Sequence, residues 1–115
     1  WKRTGEKAGE YLSVLLDDTR QGKPEAFEAF SSVIHTAKGE AQLLGLEPCA
    51  GLLELADALV KTTGGPPLSP LADEAFGVLP VALEELTSQP DGGALTAKAV
   101  MTIGRALEAS DEAAS

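Results

Sequence analysis

The chain holds one histidine, one cysteine, one methionine, one tryptophan and one tyrosine in 115 residues, and each scarcity removes a class of function. A lone His with a lone Cys, Cys49, cannot supply the ligands of a tetrahedral zinc site. Cys49 has no partner within the chain for a disulfide and falls on the apolar side of a helical pattern, so a buried structural thiol is expected. Aromatic residues make up 4% while Ala and Leu abound, which favours helices over sheet. Lys and Arg number 9 against 18 Asp and Glu, a formal net charge of −9. The basic patches that nucleic acids and anionic membrane surfaces require are therefore missing. No apolar run nears the ~20 residues of a bilayer span and no signal peptide is evident. No glycine-rich loop precedes a helix in the P-loop pattern. These features suit the cytoplasm.

What is present is helical periodicity broken by turn residues. A first helix is predicted from about Glu6 to Arg20, with Ala8, Leu12, Leu15, Leu16 and Thr19 on one face. Gln21-Gly-Lys-Pro24 ends it, and Pro24 suits the first position of a second helix, with Glu25 and Glu28 at the positive end of its dipole. That helix should reach about Leu44 and close on Gly45 as a left-handed cap. A third runs from about Glu47 to Lys61, with Cys49, Leu52, Leu53, Ala56, Leu59 and Val60 apolar. Thr62-Thr-Gly-Gly-Pro-Pro67 interrupts the pattern.

Leu68, Leu71, Ala75, Leu79, Leu83 and Leu86 keep a fourth register, but Gly77 and Pro80 lie inside it. Either a kink or two short helices meeting at Leu79 is expected. Glu84 and Glu85 read as a solvated helix face. A fifth helix, about Ala94 to Glu108, has Val100, Ile103 and Leu107 on one side. Short connections make neighbouring helices antiparallel, so the expected fold is all-α: an up-down four-helix bundle with an additional C-terminal fifth helix on its outside or end. Residues 1–108 form the expected domain. Trp1 at the start and the small polar stretch 109–115 read as cuts from a longer signalling protein, the latter as the beginning of a linker or disordered tail.

The chemistry concentrates in the second helix. At about 100° per residue, Phe27, Phe30, Ile34, Ala37, Ala41 and Leu44 fall on one stripe, the core seam of a bundle helix. His35 lies outside it, and Ser31, Lys38, Gly39 and Gln42 are its neighbours at helical spacing. Imidazole is the side chain whose unperturbed pKa leaves a neutral nucleophilic nitrogen at physiological pH, so one exposed His suffices to accept and release a phosphoryl group. Gly39 costs the helix roughly 1 kcal/mol against Ala, and close approach of another molecule over His35 would explain it.

His35, Lys38, Gly39 and Gly45, with Leu46 and the leucine-rich helix ending near Val60 after them, resemble the histidine-containing phosphotransfer (HPt) domain. The likeness is greatest to the amino-terminal HPt domain of chemotaxis-type histidine kinases and covers roughly residues 8 to 62. It implies that His35 is the phosphoacceptor and that Lys38 meets the phosphoryl charge. In that family an acidic residue, usually Glu, reaches from the next helix to the imidazole; the residue twenty-two positions after His35 is Asp57, shorter by a methylene, to which the resemblance gives that role. It implies partner docking over Ser31, Gly39, Gln42 and Leu46.

The family favours small residues after the glycine, where this chain has Glu40 and Gln42. Gln42 either crowds a partner or donates a hydrogen bond to the phosphoryl oxygens. The implied activity is phosphorelay: a phosphoryl group from a histidine kinase's ATP-binding domain, carried on His35, passed to an aspartate of a response-regulator receiver domain. ATP and magnesium would sit on those partners, with no metal or cofactor on this domain, which would be part of a larger histidine kinase. The alternative is a phosphorylation-silent HPt-like bundle acting as an interaction or dimerisation module.

Overall fold

The computed structural model describes residues 1–114, with side chains described through Ser110. Five helices account for almost all of them: α1 (Lys2–Arg20), α2 (Pro24–Leu43), α3 (Glu47–Thr63), α4 (Pro70–Ser88) and α5 (Ala94–Ala114), with no strand among the described residues. A 19-residue helix such as α1 is about 28 Å long at 1.5 Å per residue. The molecule measures 35 × 27 × 22 Å, so it is a little more than one helix length in its long dimension.

The helices surround one core in the order α1, α2, α3, α5, α4, with α4 returning to α1. Across its centre Phe30 of α2 and Phe76 of α4 meet edge to face with centroids 5.1 Å apart, and Phe27 joins them, the geometry that aromatic quadrupoles favour. Leu12, Ile34, Leu53, Ala56, Leu59, Leu79 and Leu83 fill the space around these rings and are fully buried.

Three elements depart from the pattern read in the sequence. First, α1 begins at Lys2 rather than Glu6, because Trp1 is anchored against the core and its carbonyl accepts from the Gly5 amide at 2.7 Å. Gly5 and Gly9 permit a close approach of α1 to α4. A Cβ on Gly5 would lie 2.7 Å from the Thr87 methyl carbon, and one on Gly9 would lie 3.3 Å from the Pro80 carbonyl oxygen.

Second, α4 is one helix through Pro80, not two short helices meeting at Leu79. Pro80 lacks the amide that would pair with the Phe76 carbonyl, a defect of about 3 kcal/mol in an isolated helix. Here Pro80 is buried, with α1 approaching closely at Gly9, and this packing carries the helix through.

Third, α5 is a wall of the core and not an attachment to its outside or end. It packs along α4 and reaches α3 where α3 meets α4 only narrowly. Its buried residues are Thr96, Ala99, Ile103 and Ala106, whereas Val100 is 38% exposed. The seam therefore combines Ile103, as expected, with two alanines, while Leu107 packs at its edge. The helix also runs to Ala114, past the expected end at Glu108 and over most of the stretch expected to begin a linker; Ser115 lies outside the described residues.

The start of α5 explains how it is held. Glu85 is not a solvated carboxylate: it accepts from the backbone amides of Gly93, Leu95 and Thr96 and from the Thr96 hydroxyl, at 2.7 to 3.1 Å. An anion at a helix N-terminus satisfies orphan amides and meets the positive end of the dipole. Gly93 leaves room for it, since a Cβ there would lie 2.8 Å from the carboxyl carbon.

Bonds from the Thr96 amide, foremost, and from the Thr96 hydroxyl and the Leu95 and Gly93 amides outweigh desolvation and hold Glu85 below its ordinary value of 4.5. A depressed folded pKa gives stability that is complete above the unfolded value and lost as pH falls through the folded one. Glu85→Gln should therefore melt below the wild type at pH 7, and the gap between the two should close as the pH is lowered from about 4.5. Thermal melts followed by circular dichroism across that range check it.

Candidate functional site

The surface around His35 is built by the two ends of α2 and by what α3 sends against it. Pro24 occupies the first turn of α2, as expected. At the other end Gly45 has φ 71°. The Leu46 amide donates to the Ala41 carbonyl at 2.9 Å and the Gly45 amide to the Gln42 carbonyl at 3.2 Å. That pair of reversed bonds is the Schellman arrangement, and its left-handed residue is glycine because a Cβ is disfavoured there. Between these ends Phe27, Phe30, Ile34, Ala37 and Ala41 are buried, while Leu44, the last residue of the predicted stripe, is 52% exposed.

His35 is exposed on the opposite side of α2, and among the described residues no side-chain hydrogen bond engages its ring. Ser31 is half-buried, Gln42 and Gly39 are exposed, and Leu46 is half-buried against the core just beyond the cap. A Cβ built on Gly39 meets nothing within 4 Å. The space over that residue is open, so its missing side chain is not explained by packing within the chain.

Lys38 and Asp57, expected to act separately, are joined in one ion pair. The Lys38 ammonium donates to Asp57 Oδ2 at 2.9 Å, and Lys61, one turn along α3, lies 3.2 Å from the same oxygen. The carboxylate expected on the imidazole is instead held by two lysines. The cause is position: Asp57 sits among Leu53, Ala56 and Val60 on the inward part of α3, with a side chain 6% exposed. A buried charge must be compensated at close range. Burial alone would raise the Asp57 pKa; the hydrogen bonds and charges of Lys38 and Lys61 outweigh it and hold the carboxyl below its ordinary value. Lys38 thereby lies on the flank of α2 beside His35, one turn on from it, with its ammonium drawn to Asp57.

Glu40 points away from this site, accepting from the Thr4 hydroxyl of α1 at 3.1 Å. It cannot crowd a molecule approaching His35 from the Gly39 side. On that α1 flank, Ala8 and Tyr11 of α1 with Val33 and Thr36 of α2 line a shallow, mostly apolar groove. Tyr11 is 60% exposed. Nothing local in the sequence marks this groove, because Tyr11 and Val33 lie off the core stripes of their helices and only the pairing of α1 with α2 brings them together. Cys49 is buried, and burial pushes its thiol up to about 12, so it stays protonated and unreactive.

No family model, curated protein or solved structure matches this chain. The chemistry therefore has to be argued from the site itself: an exposed imidazole, an ammonium pinned beside it by a buried carboxylate, and open space over a glycine.

The shared carboxylate makes a specific energetic expectation. Lys38→Met or Lys61→Met each leaves Asp57 one cation, while the double variant strands a buried carboxylate, a loss of about 3–5 kcal/mol. The pH dependence should also change sign. With its lysines, Asp57 has a depressed pKa and contributes stability that is lost on acidification below about 3.8. In the double variant burial raises the pKa, so stability should increase as pH falls through the raised value toward the unfolded one. Urea unfolding at several pH values measures both the magnitude and the slope.

Proposed function

We propose that this chain is a phosphohistidine carrier that accepts a phosphoryl group on His35 and passes it to an aspartate of a response-regulator receiver domain. The observation that carries the reading is the Lys38 ammonium, held by Asp57 on the flank of α2 one turn from an exposed imidazole. Phosphoryl transfer asks little covalent work of a protein; it needs an in-line nucleophile and positive charge near the transferred oxygens. His35 supplies the first and Lys38 the second.

A neutral ring nitrogen attacks phosphorus while the bond to the leaving group breaks, and the N–H proton on the other ring nitrogen passes to solvent. No carboxylate is needed to take that proton from an exposed ring. In the onward step a receiver carboxylate oxygen attacks phosphorus, the P–N bond breaks and the imidazole recovers a proton. ATP and magnesium belong to the partner domains, a histidine kinase's ATP-binding domain and the receiver. The kinase domain would be part of the same larger protein, in the cytoplasm. The up-down order of the first four helices, expected from their short connections, belongs to the same HPt-like reading. No helix among the described residues is long and apolar enough to cross a membrane.

A second reading has its own observation. Asp57 is occupied by lysines and not by the imidazole, and Leu43, 88% exposed beside Leu44, offers an apolar contact just past the motif. A phosphorylation-silent bundle that binds or dimerises through this end fits those two facts.

Incubation with a histidine kinase's catalytic domain and ATP, or with phosphoramidate, separates the two. The carrier should acquire an acid-labile, alkali-stable label that His35→Gln abolishes, with melting changed by within about 0.5 kcal/mol as for other exposed polar exchanges. Label persisting in His35→Gln, or none in the wild type, refutes the carrier. Gly39→Leu should raise helix propensity yet slow transfer from phosphorylated protein to a receiver, because bulk in the open space over Gly39 blocks approach. Single-turnover transfer rates show whether it does.

A further inference from the structure

Asp57 has more counterion than a resting carboxylate needs. Lys38 and Lys61 both approach the same oxygen, at 2.9 and 3.2 Å, yet their surroundings differ sharply: the Lys38 side chain is 17% exposed and that of Lys61 is 73% exposed. Holding an exposed lysine in one geometry costs rotamer entropy and gives little in return when a nearer ammonium already compensates the charge. The two also belong to different helices. Lys38 rides on α2 with His35, and Lys61 rides on α3 with Asp57 itself, one turn away.

We propose that Lys61 is a relief counterion. When a phosphoryl group arrives on His35, Lys38 turns from Asp57 toward the new dianion, and Lys61 keeps the carboxylate compensated so that no buried charge is stranded. Asp57 and Lys61 are then positioning residues, acting on the reaction through Lys38 and touching neither the phosphoryl group nor the imidazole. The proposal deepens the carrier reading and rests on it.

The physical logic lies in the cost of release. A lysine bound to a buried carboxylate by a lone ion pair is a poor electrophile, because every contact it makes with the phosphoryl group is made against loss of the pair. A second cation on the carboxylate's own helix lowers that cost and stays beside the carboxylate when Lys38 turns. The ammonium has three donors, so Lys38 can begin to bond the phosphoryl oxygens before it leaves Asp57 entirely. The handover is then gradual.

The test uses the whole chain and phosphoramidate, which needs no kinase. The phosphoramidate monoanion and the neutral imidazole of His35 give the phosphoimidazole dianion and ammonium. The N–P bond to the ring forms as the P–N bond to ammonia breaks, and ammonia leaves with the ring proton. Initial rates are compared for the wild type, Lys61→Met, Asp57→Asn and the double variant Asp57→Asn/Lys61→Met, with melts to verify folding.

Lys61→Met should slow labelling of His35 roughly three- to tenfold, the scale of coupling within one charged network. Lys61→Arg should restore it. In the Asp57→Asn background no carboxylate needs compensation, so Lys61→Met should there change the rate less than about twofold. An equal slowing in both backgrounds would make Lys61 a general surface charge and overturn the proposal, as would an unchanged rate in Lys61→Met alone. Failure of the carrier reading looks different: the wild type would take no label, or His35→Gln would take as much, and the relief role would fall with it.

Discussion

Burial of the Phe27, Phe30, Ile34, Ala37 and Ala41 stripe is the constraint on which the site depends. A helix that commits one face to a core commits the opposite face to solvent, and all five of these residues are 5% exposed or less. His35 has no other place to be. The same commitment fixes Lys38 on the flank that turns toward α3 and Glu40 on the flank that turns toward α1, where the Thr4 hydroxyl binds it. Core packing thus distributes the polar side chains around the imidazole before any of them has a role.

The sequence carried this first layer because it is local and periodic. The seam of α2, its proline entry and its glycine exit are written at fixed offsets, and Gly45 occupies the left-handed cap that its position implied. Asp57 shows where local reading stops. Its place on α3 follows from periodicity, but its partner is a matter of which α2 residue faces it, and two candidates one turn apart, His35 and Lys38, were available. Burial decides between them. A neutral imidazole offers a buried carboxylate one hydrogen bond, whereas an ammonium offers a hydrogen bond and an opposite charge.

The remaining misreadings share a non-local cause. Pro80 breaks helices in peptides, and in this protein it is buried with Gly9 of α1 close to its carbonyl; tertiary packing outweighs a local defect of a few kcal/mol. The alanines that join Ile103 in the seam of α5 are too weakly hydrophobic to stand out against Val100, yet small residues are what a helix needs in order to close against α4 and α3 together. Glu85 belongs by pattern to a solvated row. Only the return of the chain at Gly93 puts three backbone amides within its reach. In each case the deciding partner is on another helix.

The electrostatics of the site then make sense as geometry chosen over quantity of charge. In a chain of net charge −9, a dianionic phosphoryl group on an exposed histidine gains little from the surface as a whole, and screening over about 8–10 Å weakens distant charges further. Two lysines with no carboxylate between them would bring more positive charge, but each would be free in solvent and would have to be ordered at the moment of reaction. Asp57 cancels one of the two charges and in exchange fixes where the other is found. In the proposed transfer, ordering done during folding does not have to be repeated at each event, which is the advantage of preorganised groups over mobile ones. For the proposed carrier, the part left to this chain is to hold an ammonium ready one turn from an exposed imidazole, and a packed helical pair with a buried ion pair between its members does so before any phosphoryl group arrives.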